Sequence, residues 1–290
     1  MPEVELPLHV RTLTDLQALQ AASTVLHTPC GDGTLVWHAW GSGPPVVLLH
    51  GGAGSWTHWA RNIGALVQAG HRVLAADMPG FGDSAEPRDG HDADVLPHWL
   101  EQGLQALIGD APVDLVGFSF GGLVAGLWAQ AHPARVRRLV LVGAPALSEA
   151  PMAPLPLRAW DTAPAGERRD ALHSHNLGVL MLSRAEAIDA LAVALHGANI
   201  ERDRMRRRRL MRTDLLRRTL PHLQCPVHGL WGDDDVLYRG RLQVVREALA
   251  LAPAGGTLQF IAGAGHWVAY EAADAFNAAL VALLDDAAWT

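Results

Sequence analysis

Short runs of almost purely apolar residues recur along this sequence, spaced so that each interval leaves room for a helix. TLVWHAW (34–40), PPVVLLH (44–50), HRVLAAD (71–77), VDLVGF (113–118) and RRLVLVGA (137–144) make up the first series. Each is the length of one strand, and runs such as PPVVLLH read as buried on both faces. Helix-like stretches at 56–69, about 93–108 and 123–131 separate them. Parallel neighbours need long crossovers, and strands buried on both faces need cover on both; intervening helices meet both needs. The pattern therefore dictates an α/β class, a mostly parallel, doubly wound sheet.

The rhythm breaks after Pro145. PALSEAPMAPLPLRAWDTAPAG (145–166) is proline-rich and reads as linker and irregular surface, because proline cannot sit inside a helix. Two amphipathic helices are expected next, at about 184–196 and 202–220. Alternation resumes at CPVHGLWGDDD (225–235) and TLQFIAGAG (257–265), followed by a last helix from about 271 to 284. The expected organisation is one core domain, residues 1–147 and 222–290, interrupted by a helical insertion at 148–221. A chain of 290 residues is long enough for this.

Charge removes several function classes. The formal net charge is −7, which argues against a general nucleic-acid binder. Every basic residue among the 23 is Arg, so Lys Schiff-base chemistry and a P-loop lysine are excluded. The start, MPEVELPLHV, lacks the basic and long apolar regions of a signal peptide, and no run suggests a membrane span. Cys30 and Cys225 stand alone, which fits a reducing cytoplasm and offers no metal site. The Arg-rich run RDRMRRRRLMR (202–212) is expected to be a solvated helix face with Leu210, Met211 and Leu215 turned inward; anion binding is the alternative.

GFSFG (117–121) follows an apolar run and opens a helix, the context of a nucleophile elbow. The turn would strain Ser119, and side chains at 117 or 121 would collide with the neighbouring strand and helix. A phosphate-binding helix start is the alternative, but no Lys or Arg stands nearby. A serine nucleophile needs a base and a carboxylate behind it. His266 in GAGHW lies in a glycine-rich loop after a strand-like run, free to reach a nucleophile. WGDDD supplies Asp233, Asp234 and Asp235, of which one is expected to be buried; the spacing does not suit a metal, so none is assigned. VVLLHGGAGSW (46–56) offers backbone N–H groups without side-chain cover, the donors that an acyl tetrahedral intermediate requires, together with the N–H of Phe120. His50 is expected to pack beneath that loop.

LLHGG, DMPGFGDS (77–84), GFSFGG, WGDDD and GAGHW, in this order and at these intervals, resemble the α/β-hydrolase fold superfamily across nearly all of residues 35–285. The resemblance implies Ser119 as nucleophile, His266 as base and Asp235 as the acid, three residues after Gly232. It also implies an oxyanion hole from Phe120 with Gly52 or Ala53, and makes the 148–221 insertion a helical cap inserted before the acid-bearing strand. Asp77 and Asp83 are expected to be structural. Serine at the elbow separates the chain from haloalkane dehalogenases and epoxide hydrolases, which carry Asp there.

Within the superfamily, WARNIGALVQAGHRVLAADMPGFGDS and GHWVAYEAADAFNAALVALL are most similar to the meta-cleavage-product C–C hydrolases. Three departures stand out. Phe118 replaces the Asn usual before the nucleophile, the oxyanion loop lacks the usual Pro, and 185–199 carries no Arg to grip a substrate carboxylate. Arg184 or the 202–212 run would have to substitute. The expected function is that of a cytoplasmic serine hydrolase without cofactor, acting on a small, largely apolar ester, lactone or related carbonyl compound, with Trp56, Phe118 and Trp267 at the substrate. C–C hydrolysis, acyl transfer, cofactor-free haloperoxidation and non-catalytic ligand binding are the alternatives. Neither nucleic acid nor membrane is an expected partner, and a homodimer is left open.

Overall fold

The computed structural model describes residues 6–148 and 154–286. An eight-stranded sheet forms its centre, in the order β1-β2-β4-β3-β5-β6-β7-β8. The strands are β1 (Thr24–Cys30), β2 (Gly33–Trp40), β3 (Pro45–Leu49), β4 (Arg72–Asp77), β5 (Val113–Phe118), β6 (Val136–Val142), β7 (Val227–Gly232) and β8 (Leu258–Ile261). β2 pairs antiparallel with β1 and β4, and every later pairing is parallel. The expected apolar runs become β2 to β8. No comparable run announces β1, an edge strand that carries Pro29 and leaves four of its seven residues exposed.

Alternation along β3 shows why its apolar residues are consecutive. Val47 and Leu49 join Trp37, Leu115, Phe120 and Trp128 on one face. Val46 and Leu48 join Trp59, Val116, Phe118 and Trp267 on the other. The α-helices among the described residues are α1 (Leu13–Ala21), α2 (Ile63–Gln68), α3 (Leu96–Ile108), α4 (Phe120–Ala131), α5 (Glu167–Asn176), α6 (Ala190–Glu201), α7 (Leu215–Thr219), α8 (Leu242–Leu249), α9 (Val268–Glu271) and α10 (Ala273–Asp285).

Three helix expectations need correction. The one over 184–196 starts late, since Ala185–Ala187 is a 3₁₀ turn and α6 covers Ala190–Glu201. The stretch 56–69 is a 3₁₀ turn, Trp56–Trp59, followed by α2. The buried Asn62 amide donates to Ala269 O and Asn277 Oδ1, both at 2.8 Å, and these tertiary bonds fix the break. A continuous helix over 202–220 is also absent: Leu210–Arg212, α7 and the 3₁₀ turn Leu220–His222 are the helical pieces there. Backbone donors in this stretch go to core loops instead, from Arg204 to Gly80 O and from Arg209 and Leu210 to the Asp92 carboxylate. Neighbouring α7 packs on α4, with Leu216 directly over Gly126. Residues 149–153, within the expected linker and insertion, lie outside the described residues. Among the described residues no helix is long and apolar enough to cross a membrane.

Candidate active site

β5 ends at Phe118 and α4 begins at Phe120, so the chain must turn on Ser119 alone. Its φ of 50° and ψ of −120° place a side-chain-bearing residue in strained backbone space. A hydrogen bond from Ser119 N to Val142 O, 2.8 Å, holds the turn against β6. The flanking glycines are required by contact. A Cβ at Gly121 would lie 2.4 Å from the carbonyl oxygens of Leu49 and His50, and one at Gly117 would lie 2.5 Å from Gly121 O.

The structure brings Ser119, His266 and Asp235 together, although 147 residues separate the first two. Ser119 Oγ lies 2.9 Å from His266 Nε2, and His266 Nδ1 lies 2.9 Å from Asp235 Oδ2. All three are buried. An ionised carboxylate only accepts, so Nδ1 carries the proton and the Nε2 lone pair faces the serine hydroxyl. Asp235 Oδ1 is held by Leu237 N at 2.9 Å. The other aspartates face elsewhere: Asp233 accepts from Gly263 N, and Asp234 pairs with Arg239. Gly143, with φ 53°, leaves room for this relay, since a Cβ there would lie 3.2 Å from the His266 ring and 3.3 Å from Asp235 Oδ2.

The loop after β3 is braced from below. His50 Nδ1–H donates to Gly51 O at 2.7 Å, while Nε2 accepts from Met78 N at 2.9 Å. Full burial pushes the His50 imidazole down to about 3, so it is a neutral strut. Gly51 N donates to His58 Nδ1 at 3.2 Å, and burial holds His58 well below the ordinary imidazole range too. From α6, Asn199 accepts from Ser55 Oγ at 2.7 Å and donates to Thr57 Oγ1 at 3.0 Å, which ties the segment between β6 and β7 to this loop. Gly52 and Ala53 (φ 49°) line the cavity above Ser119. Phe120 N lies in the first turn of α4 and therefore has no intrahelical acceptor. Asp77 is structural: its carboxylate accepts from Trp56 N and Asp83 N.

A cavity of about 730 Å³ opens over Ser119 and His266. Trp160, Leu180, Met181, Ile200, Met211 and Leu237 give it largely apolar walls. Phe118 joins them, its ring centroid 5.1 Å from that of His266. Trp56 and Trp267 do not line the cavity. Trp56 packs on His38 and Trp40, at 4.8 and 5.3 Å between centroids. Trp267 stacks on Tyr270 at 4.2 Å and donates through Nε1 to His58 O. Nearness in sequence to a site loop does not fix which way an indole points, and both fill the apolar layer beneath.

The polar lining was not legible in the sequence. His196 reaches the cavity from α6, and burial lowers its imidazole to about 4. Arg206, Arg208 and Arg212 also line it, so the Arg-rich run is no simple solvated face. Arg208 Nη1 is anchored by both Asp203 oxygens at 2.8 Å and by Met205 O at 2.7 Å. Its guanidinium lies over the Phe81 and Phe120 rings, 5.4 and 5.6 Å from their centroids. The Nε–Nη2 edge faces the loop after β3: a Cβ at Gly52 would be 3.1 Å from Nε and 3.4 Å from Nη2. Arg184 is elsewhere, paired with Glu271. Among the described residues no group of three or more His, Cys, Asp or Glu is arranged to hold a metal.

The alpha/beta hydrolase fold family profile matches residues 44–176. A 2-hydroxy-6-oxononadienedioate/2-hydroxy-6-oxononatrienedioate hydrolase of Klebsiella pneumoniae is 30% identical over 265 residues, 86% of this chain and 86% of that protein. A 2-hydroxy-6-oxo-6-phenylhexa-2,4-dienoate hydrolase of Comamonas testosteroni is 36% identical, over 40% of this chain and 42% of its own length. The crystal structure of a carboxylesterase of Bacillus subtilis superposes with a TM-score of 0.74 at 20% identity, covering 91% of this chain and 92% of that one. That last likeness is one of fold.

Proposed function

This chain belongs to the α/β-hydrolase fold family of hydrolytic enzymes, and on that premise we propose that it is a serine hydrolase with Ser119 as its nucleophile. The observation that carries the reading is the continuous Ser119–His266–Asp235 relay, two contacts of 2.9 Å, at the floor of an apolar cavity. Ser119 Oγ attacks a substrate carbonyl carbon while its proton passes to His266 Nε2, and Asp235 stabilises the imidazolium. The oxyanion is received by Phe120 N–H, at the positive end of α4, and by N–H groups of Gly52 or Ala53. Collapse expels the leaving group, which takes the proton from His266. Water then repeats the sequence on the acyl-enzyme and frees Ser119. Apolar walls suit a small, largely apolar ester, lactone or ketone.

A second reading, C–C hydrolysis of a dienoate, is favoured by Arg208. Its Nη1 is anchored, and its Nε and Nη2 lie against Gly52, a residue that lines the cavity as Arg208 does; such a donor pair is the kind that grips a carboxylate in two bonds. The Klebsiella and Comamonas relatives are named for dienoate-type substrates. Both readings share Ser119, so labelling by a fluorophosphonate tests them together: one adduct on Ser119 is expected, and none would favour a non-catalytic binding protein. Comparing turnover of a 2-hydroxy-6-oxo-dienoate with p-nitrophenyl esters then separates them. If dienoate is the substrate, Arg208→Gln should lower its kcat/KM about 100-fold while changing p-nitrophenyl acetate hydrolysis less than about 3-fold. Equal effects on both would remove the carboxylate role.

A further inference from the structure

The loop that carries His266 does not stand alone. Glu271, five residues on at the end of α9, has a fully buried side chain whose carboxylate accepts from two separate parts of the chain. Gly265 N, the residue before His266, donates to Oε2 at 2.6 Å. From the insertion, Ser183 N donates at 3.0 Å to Oε1 and 3.1 Å to Oε2, Ser183 Oγ at 3.1 Å, and Arg184 N at 2.7 Å. Arg184 closes the outer side, with Nε 3.4 Å from Oε1 and Nη2 on Glu271 O. Beside this, Trp267 N donates to Met181 O at 2.7 Å, and Met181 lines the cavity. Both residues flanking His266 are thus bonded, directly or through one carboxylate, to residues 181–184 of the insertion.

We propose that Glu271 is a positioning residue that clasps the His266 loop to the insertion at Met181–Arg184, so that placement of the base and placement of the cavity wall are one geometric variable. The proposal rests on the reading of His266 as the base. A buried carboxylate is costly unless its lone pairs are filled, and here both oxygens are filled by donors from opposite sides. Glutamine can serve only one side, because its NH₂ must face a donor on the other. Loss of either side frees the His266 loop relative to Ser119, and misplacement of about 1 Å is worth roughly 100-fold in rate.

The test is the time course of Ser119 labelling by a fluorophosphonate in Glu271→Gln, beside kcat and KM on a hydrolysed ester. The expected result is a labelling rate constant and kcat lowered about 10- to 100-fold, with KM changed less than about 3-fold and full labelling reached at long times. A merely structural role would lower the labelling endpoint and leave the rate constant of the surviving fraction unchanged, and that result overturns the proposal. An unchanged rate constant at full endpoint overturns it as well. Should Glu271→Gln fail to fold, Gly265→Ala replaces it: the added Cβ would meet Ser183 N at 2.8 Å and Met181 O at 3.2 Å and wedge the clasp open. The same slowing is expected there, and a wild-type rate would refute the coupling. If the wild-type protein takes no label at Ser119, the serine-hydrolase reading has failed before the clasp is tested.

Discussion

Alanine at position 119 is expected to lower kcat by about 10⁴- to 10⁶-fold while the protein stays folded, because removing the nucleophile of a relay costs as much as removing the relay. The change deletes one oxygen whose hydrogen-bond partner is His266 Nε2, at the floor of the cavity. The strained φ of 50° is unchanged, since alanine meets the same steric limits there as serine. The stability cost should therefore stay near 1 kcal/mol or below. Steady-state kinetics on an ester or dienoate that the wild type cleaves, with a thermal melt beside it, measure both quantities. Turnover within about 100-fold of wild type would end the assignment of Ser119 as nucleophile.

Acid should unfold this protein early. His38, His50, His58 and His196 are all buried, and burial holds each imidazole below its ordinary value, to about 4 for His38 and His196 and about 3 for His50. The unfolded chain, with ordinary histidines near 6.5, takes up protons that the folded chain refuses. Stability must therefore fall as pH drops below about 6.5 and continue falling toward the folded values. At pH 5 His38, His50 and His196 each cost about 2 kcal/mol, and together with His58, which acts in the same direction, they offset a large part of a typical folding free energy of about 5–15 kcal/mol. Asp77 acts in the opposite direction. Burial raises its carboxyl to about 6, so the folded state gains from its protonation as pH falls below that value, by at most about 3 kcal/mol. The net expectation is a urea midpoint that declines from about pH 6.5 and loses half or more of its pH 7.5 value by pH 5. A flat midpoint across that range would show that these imidazoles do not enter the balance.

How much of the site could be read in advance depends on whether a residue's role is local. The elbow is local: Gly117 and Gly121 are glycines because Gly121 O, Leu49 O and His50 O come within 2.5 Å of where a Cβ would stand. His266 and Asp235 are marked by their loops after β8 and β7, and a parallel sheet delivers those loop ends to the same edge as the elbow. Arg208 carries no such mark. Nothing in RDRMRRRRLMR distinguishes the guanidinium anchored on Asp203 and laid over Phe81 and Phe120 from its exposed neighbours. Trp56 and Trp267 mislead in the reverse sense, since both adjoin site loops and neither lines the cavity.

The sequence by itself determined the α/β architecture and the order of the chemical groups along it, because apolar periodicity and glycine placement act over a few residues. Tertiary structure alone decided what surrounds Ser119. The segment between β6 and β7 departs from its expected helix where core acceptors at Gly80 and Asp92 draw its backbone away. Only that path brings Arg208 to Gly52, and only folding brings Ser183 to the Glu271 carboxylate that also holds Gly265 N. Hydrogen bonds such as those from Ser183 to Glu271 and from Arg209 to Asp92 join residues far apart in the chain and leave no periodic trace in it, so the candidate nucleophile is legible in the sequence while the groups around it are not.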